Sequence, residues 1–211
     1  MKDLELVISE RRGAAEVFRA NPDHPDAALL RQLVQRRPVS PPRDEHAETV
    51  RGWLRDLGAP LVNGRAATPA PSEEDALADA LKLAHRDASV ARVLPLCLWY
   101  HRNHVDVARL GDRARADGEK HALGFMLDLT AEVCGDKRFA QWARELRDRR
   151  RRVVRDFFHG APTSRRAREL AERNTPDVAR RWGYRMNMDL ENFRALFQKF
   201  AHVTPVHAPR D

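Results

Sequence analysis

From Val90 to Tyr100 the chain, written as a helix, is apolar on nearly every side, with Arg92 the one charged residue. A helix without a polar face cannot rest on a surface. It needs neighbours all round, so this segment predicts the central member of a multi-helix bundle. Pro95 within it predicts a kink or a restart, because proline removes a helical hydrogen bond. The segment is eleven residues long, and no run of eighteen apolar residues occurs in the sequence. A bilayer crossing takes about 20 residues, so no membrane partner is expected.

The remaining punctuation is also helical. Ser72 or Glu73 opens a helix with Leu77, Ala80, Leu81 and Ala84 on one side, and Asp106 to Ala116 forms a short polar one. His121 to Val133 carries Leu123, Phe125, Met126, Leu127 and Leu129 and stops at Gly135. Asp136 caps a long helix that should reach Phe158, ended by His159-Gly160-Ala161-Pro162. Two shorter helices follow, Ser164 to Glu172, then Pro176 to Trp182 with Thr175 as its cap. A last one from Asp189 stacks Leu190, Phe193, Leu196, Phe197 and Phe200 at helical spacing. The fold class expected is all-α.

The N-terminal block reads differently. Leu4 to Phe18 suggests a helix bent near Gly13, and after the Asn21–Pro25 turn Asp26 caps a second helix through Val34. Pro38-Val39-Ser40-Pro41-Pro42 stops it, and Asp44 caps a third that ends at Leu57, before Gly58. Asn63-Gly64, flanked by short strand-like runs, predicts a β-hairpin over residues 60–68. Helices followed by a hairpin are the order of a winged helix. Its reading helix would be Asp44–Leu57, which offers Arg51 and Arg55 but also Asp44, Glu45, Glu48 and Asp56. A charge near zero suits a dimerisation or partner-binding unit better than a DNA reader. The expected organisation is an N-terminal unit over 1–68, a Pro-rich linker over 69–75, a helical bundle over 76–203 and a frayed tail over 204–211.

Charge points to the other end of the chain. The net charge of +7 is unevenly spread: residues 1–72 carry +1, residues 73–135 carry −3 and residues 136–211 carry +9. Nearly all the cations are arginine, the lysines being Lys2, Lys82, Lys120, Lys137 and Lys199. Arginine makes planar, bidentate contacts with phosphate that lysine cannot make. Arg147, Arg151, Arg152, Arg155, Arg165, Arg166, Arg168, Arg180, Arg181 and Arg185 therefore form the candidate nucleic-acid-binding set. Arg150 falls within the apolar stripe of the expected long helix and needs an acidic partner, for which Asp128 is the candidate.

Other constellations carry less. His101, His104 and Asp106 place three ligand-type side chains in six residues, without a second pair, and the histidines read better as helix-end caps than as metal ligands. No Gly-rich phosphate loop, nucleophile elbow or HExxH is present, so no cofactor and no metal are expected. Cys97 and Cys134 sit in apolar runs, which fits reduced thiols in a cytoplasmic protein, and Met1–Leu6 lacks a secretory pattern. Arg152 and His159, with six residues between them, resemble in spacing the arginine–histidine motif of the HEPN superfamily of helical ribonucleases, although Val153 stands where that motif carries a polar residue. That resemblance implies His159 as general base beside a phosphate-binding arginine.

The function expected is thus a non-enzymatic, basic, helical regulator or adaptor that binds nucleic acid, of the kind found among repressors, antitoxins and nucleoprotein subunits. The alternatives are a helical ribonuclease using Arg152 and His159, and a module that docks an acidic protein partner or a second copy of itself. Phe193, Phe197 and Phe200 on the terminal helix are the candidate partner-binding face.

Overall fold

In the computed structural model the described residues are 7–12, 15–28, 44–62, 68–147, 153–161 and 164–203. By internal contacts the chain divides into two units, Met1–Arg43 and Asp44–Asp211.

In the first unit, β1 (Val7–Arg12) and β2 (Ala15–Ala20) pair antiparallel, with Val7 opposite Ala20 and Arg12 opposite Ala15. This replaces the helix expected over Leu4–Phe18. Val7, Ile8, Val17 and Phe18 are residue types that favour a pleated strand. The residues 29–43 and 63–67, including Asn63-Gly64, lie outside the described residues. Pro60, Leu61, Val62 and Thr68 are in no strand.

The second unit is helical. The helices are α1 (Glu45–Asp56), α2 (Glu73–Ala84), α3 (Ala88–Tyr100), α4 (Val107–Ala116), α5 (Lys120–Cys134) and α6 (Lys137–Leu146). After them come α7 (Arg165–Asn174), α8 (Asp177–Arg181) and α9 (Leu190–Phe200). Thr175, expected to cap α8, instead ends α7, and Pro176 stands at the start of α8 without a side-chain cap; the other caps read from the sequence in this unit hold. Asp44, Ser72, Asp106, Asp136, Ser164 and Asp189 each accept a first-turn N–H, which satisfies donors a helix start leaves open. Gly135 ends α5 at φ 77°, in the left-handed region.

The apolar α3 is central, packed by α2, α5 and α9, and it runs through Pro95 as one helix. Val90, Leu94 and Cys97 are buried with Leu77 and Leu81 of α2 and Leu123, Phe125 and Leu127 of α5. The stretch 69–75 joins helices that share this core, since Val50 and Leu54 of α1 belong to the same cluster. Trp53 closes the connection by donating from its indole to the Thr68 carbonyl at 2.7 Å, and Arg51 reaches Asp87, before α3, at 2.6 Å.

Beyond α6 the fold departs most from expectation. The long helix to Phe158 ends at Leu146, with Arg147 already extended at φ −67°, ψ 122°. Residues 148–152 lie outside the described residues. By Arg155 the chain is a strand: β3 (Arg155–Asp156) pairs parallel with β4 (Tyr184–Arg185). Val153 and Val154 stay exposed on this path, at 88% and 62%. The bridge instead buries Phe157 fully against Phe125 and Tyr184.

Candidate nucleic-acid interface

Two buried histidines anchor the segment that carries the basic residues. His85, at the end of α2, donates through Nδ1 to the Phe157 carbonyl at 2.6 Å, and its Nε2 lies 2.9 Å from Glu119 Oε2. His121, on the first turn of α5, donates to the Trp182 carbonyl at 2.7 Å. The Trp182 indole lies over Gly124 and donates to Asp128 at 2.8 Å. Asp128 therefore serves Trp182 and, at 3.4 Å, Arg181. Arg150, the partner expected for Asp128, lies outside the described residues.

Backbone bonds from Arg155 N–H to the Gly183 carbonyl (3.0 Å) and from Phe157 N–H to the Arg185 carbonyl (2.8 Å) then fix β3 on β4. Thr175, buried between α7 and α8, accepts from Met186 N–H at 3.0 Å and donates to the Ala171 carbonyl at 2.6 Å. The result is a rigid polar seam between residues 154–159 and 172–186.

The arginines divide around this seam. Arg181 is paired with Asp128 and Glu132. Arg185 makes a two-point contact with Asp156 (2.7 and 3.0 Å) and approaches Glu172 at 3.5 Å. These bonds hold the Asp156 carboxyl below its ordinary 3.8, with the nearby Arg168 charge adding to the effect. Arg180 bonds the carbonyls of Glu172 and Thr175 at the end of α7, where a cation offsets the helix dipole. Arg155 lies over the Tyr184 ring at 5.1 Å and donates to its hydroxyl at 2.9 Å. These four are substantially spent on the fold.

The rest face water. Helix α7 has no buried residue. On it, Arg165 pairs with Glu169 at 2.8 Å, while Arg166, Arg168 and Arg173 make no ion pair among the described residues. Arg166 and Arg173 are two turns apart, so they stand one above the other about 10 Å apart along the axis. Arg147 is exposed as well. Arg151 and Arg152 lie outside the described residues.

Beside α7 opens a cavity of about 320 Å3, lined by Val154, Glu172, Thr175, Arg180, Tyr184 and Arg185. Sequence reasoning missed Glu172, Thr175 and Val154 as parts of one site. Their approach depends on the β3–β4 bridge, a pairing across 29 positions that leaves no local pattern.

Other candidates fall elsewhere. His159 is exposed and stacks on His85, ring centroids 4.8 Å apart and planes within 5°. Partial burial, with the charges of His85, Arg86 and Arg155, lowers its pKa below 6.5. His101 caps α3, yet its ring reaches the Leu57 carbonyl and Glu73 rather than its own helix. On α9, Phe193 is 1% exposed within the core. Phe197 meets Trp99 edge-on at 5.1 Å, and Tyr100 donates to the Phe200 carbonyl. The face read as partner-binding thus covers α3 of the same chain. Among the described residues no three His, Cys, Asp or Glu side chains group as for a metal ion, and no helix is long and apolar enough to cross a membrane.

Comparison with protein-family models, curated proteins and solved structures finds no match.

Proposed function

We propose that this chain binds nucleic acid through phosphate contacts from α7 and its neighbouring arginines, as a non-enzymatic regulator or adaptor. The observation that supports this reading is α7 itself: ten residues, four of them arginine, and no side chain buried. A helix without a buried face adds little to the core. Three of its cations, Arg166, Arg168 and Arg173, make no ion pair among the described residues, Arg168 acting on Asp156 only through space, so they are available to an external anion. Arginine on a fixed helix supplies paired donors at a set spacing, which suits a phosphate backbone.

The test is a fluorescence anisotropy titration of the full chain with DNA and RNA at about 50 and 200 mM salt. Each phosphate neutralised releases counterions, so several contacts lower the affinity at least about a hundredfold between those salts. Replacing Arg166 and Arg173 by Ala should weaken binding uniformly across sequences and reduce the salt slope by about one per residue. No binding at the lower salt would refute the reading and turn the search to an acidic protein partner.

One observation favours a second reading, RNA cleavage. His159 is exposed, held on His85 and shifted toward its neutral form, as a base for a 2′-hydroxyl would need to be. A His159→Ala protein that cleaves RNA as fast as the parent would remove it.

A further inference from the structure

The geometry points to a base-selective pocket: we propose that the cavity between β3, the end of α7 and β4 receives an unpaired guanine from a single-stranded nucleic acid. This rests on the reading of α7 as a phosphate-binding helix.

Three features carry it. First, the cavity of about 320 Å3 lies at the small end of ligand cavities, which span about 300–1,000 Å3, and it adjoins the exposed arginines of α7. A strand whose phosphates lie along α7 has its bases within reach of this opening. Second, part of its wall is apolar. Val154 is 62% exposed at the mouth, while Tyr184, 1% exposed and lying under the Arg155 guanidinium, backs the wall from within the core. A flat base face covers such a surface, as bases do on protein side chains that bind single strands.

Third, the wall carries one carboxylate among guanidinium groups. Glu172 is 63% exposed, and Arg185 steadies its Oε1 at 3.5 Å, the limit of a hydrogen bond. That single long contact leaves most of the carboxylate exposed and able to accept from a further donor. A carboxylate only accepts hydrogen bonds. Guanine alone presents two adjacent N–H donors, N1–H and the N2 amine, on its Watson–Crick edge. Uracil flanks its one N–H with carbonyls, and adenine and cytosine place a ring acceptor beside their amine. In a duplex that edge is already paired, so the pocket selects single strands as well as guanine.

The experiment uses the full chain and fluorescence anisotropy at about 50 and 200 mM salt. The probes are an oligouridine strand with a single central guanosine, the same strand with inosine there, which lacks the N2 amine, the deoxy counterparts of both, and a duplex. The guanosine strand should bind about tenfold or more tightly than the inosine strand or the duplex, as one bidentate base contact provides. Glu172→Gln, at an exposed position that leaves the fold intact, should abolish that preference while keeping the salt dependence. Val154→Trp, which fills the mouth, should do the same. Equal binding of guanosine strand, inosine strand and duplex, with a steep salt slope, would overturn the pocket and leave the phosphate reading standing. No binding of any probe at low salt would overturn both.

Discussion

Gly124→Ala isolates the contact on which the C-terminal segment hangs. Gly124 sits mid-way along α5, and a Cβ there would stand 2.3 and 2.6 Å from two ring carbons of Trp182. Carbon atoms rest at about 3.5–4.0 Å, so the indole must move by about 1 Å or more. Its Nε1 is committed to Asp128 at 2.8 Å, and its backbone carbonyl to His121. The ring is 4% exposed and has no open side to move toward. Glycine in a helix interior ordinarily costs about 1 kcal/mol relative to alanine, so the same change at an open position would stabilise by that amount. Here overpacking costs about 1–3 kcal/mol, and stretching a hydrogen bond to a carboxylate costs about 1.5–3 kcal/mol. The net expectation is about 2–4 kcal/mol of destabilisation, a fall in Tm of about 4–16 °C for a chain of this size. Gly111→Ala is the control, because its Cβ would meet Leu146 at 3.4 Å, close to ordinary contact. Circular-dichroism melts of both variants decide the matter, with Trp fluorescence reporting the ring. A Gly124→Ala protein as stable as the parent, or more so, would refute the argument.

Two further outcomes follow from titratable groups. Arg185 lowers the Asp156 pKa below its value of 3.8 in the unfolded chain. A depressed carboxyl contributes stability above the unfolded value and loses it as pH falls through the folded one. Urea midpoints should therefore drop below about pH 4 in the parent and drop less in Asp156→Asn; equal acid limbs for the two proteins would discard this assignment. Cys97 is fully buried, and that burial raises its pKa to about 12, while Cys134 is half-buried and raised less. In native protein a thiol reagent should titrate Cys134 slowly and reach Cys97 only on unfolding, so prompt labelling of both at neutral pH would contradict the packing of α3.

How much of this was legible in the sequence depends on the range of the interactions. Helices α1 to α6 are set by near neighbours. Their caps are Asp, Ser or Glu in the chain just ahead, and their stops are Gly58, Gly118 and Gly135, each with positive φ. The all-round apolarity of α3 required burial, and burial is what it has. The hairpin β1–β2 was misread because Val17-Phe18 and Val7-Ile8 are adjacent apolar pairs, which fit a helix face and a strand equally in so short a run. The end of α6 was misread for another reason. Phe139, Trp142, Ala143, Leu146, Val153 and Phe157 continue a helical stripe, yet Phe157 reaches the core from a strand. Its neighbours there, Phe125 and Tyr184, lie 32 residues before it and 27 after. No local pattern distinguishes those two routes to the same burial.

The same distinction separates the arginines that build the fold from those available to a ligand, which composition alone cannot do. An excess of arginine predicts phosphate binding only for residues the protein has not already neutralised. Arg51, Arg180, Arg181 and Arg185 look like the others in the sequence, but Asp87, the carbonyls that end α7, Asp128 with Glu132, and Asp156 engage them. Each such pair trades an anion-binding group for a tertiary link. Arg166, Arg168 and Arg173 escape that trade because α7 is joined to the core through Thr175 and the cap at Arg180 rather than through a buried face of its own. A helix held at one end and bare along its sides keeps its cations in fixed positions without using them. Among the described residues of the C-terminal third, α7 thereby carries three arginines set in a row on one helix and joined to no carboxylate by an ion pair.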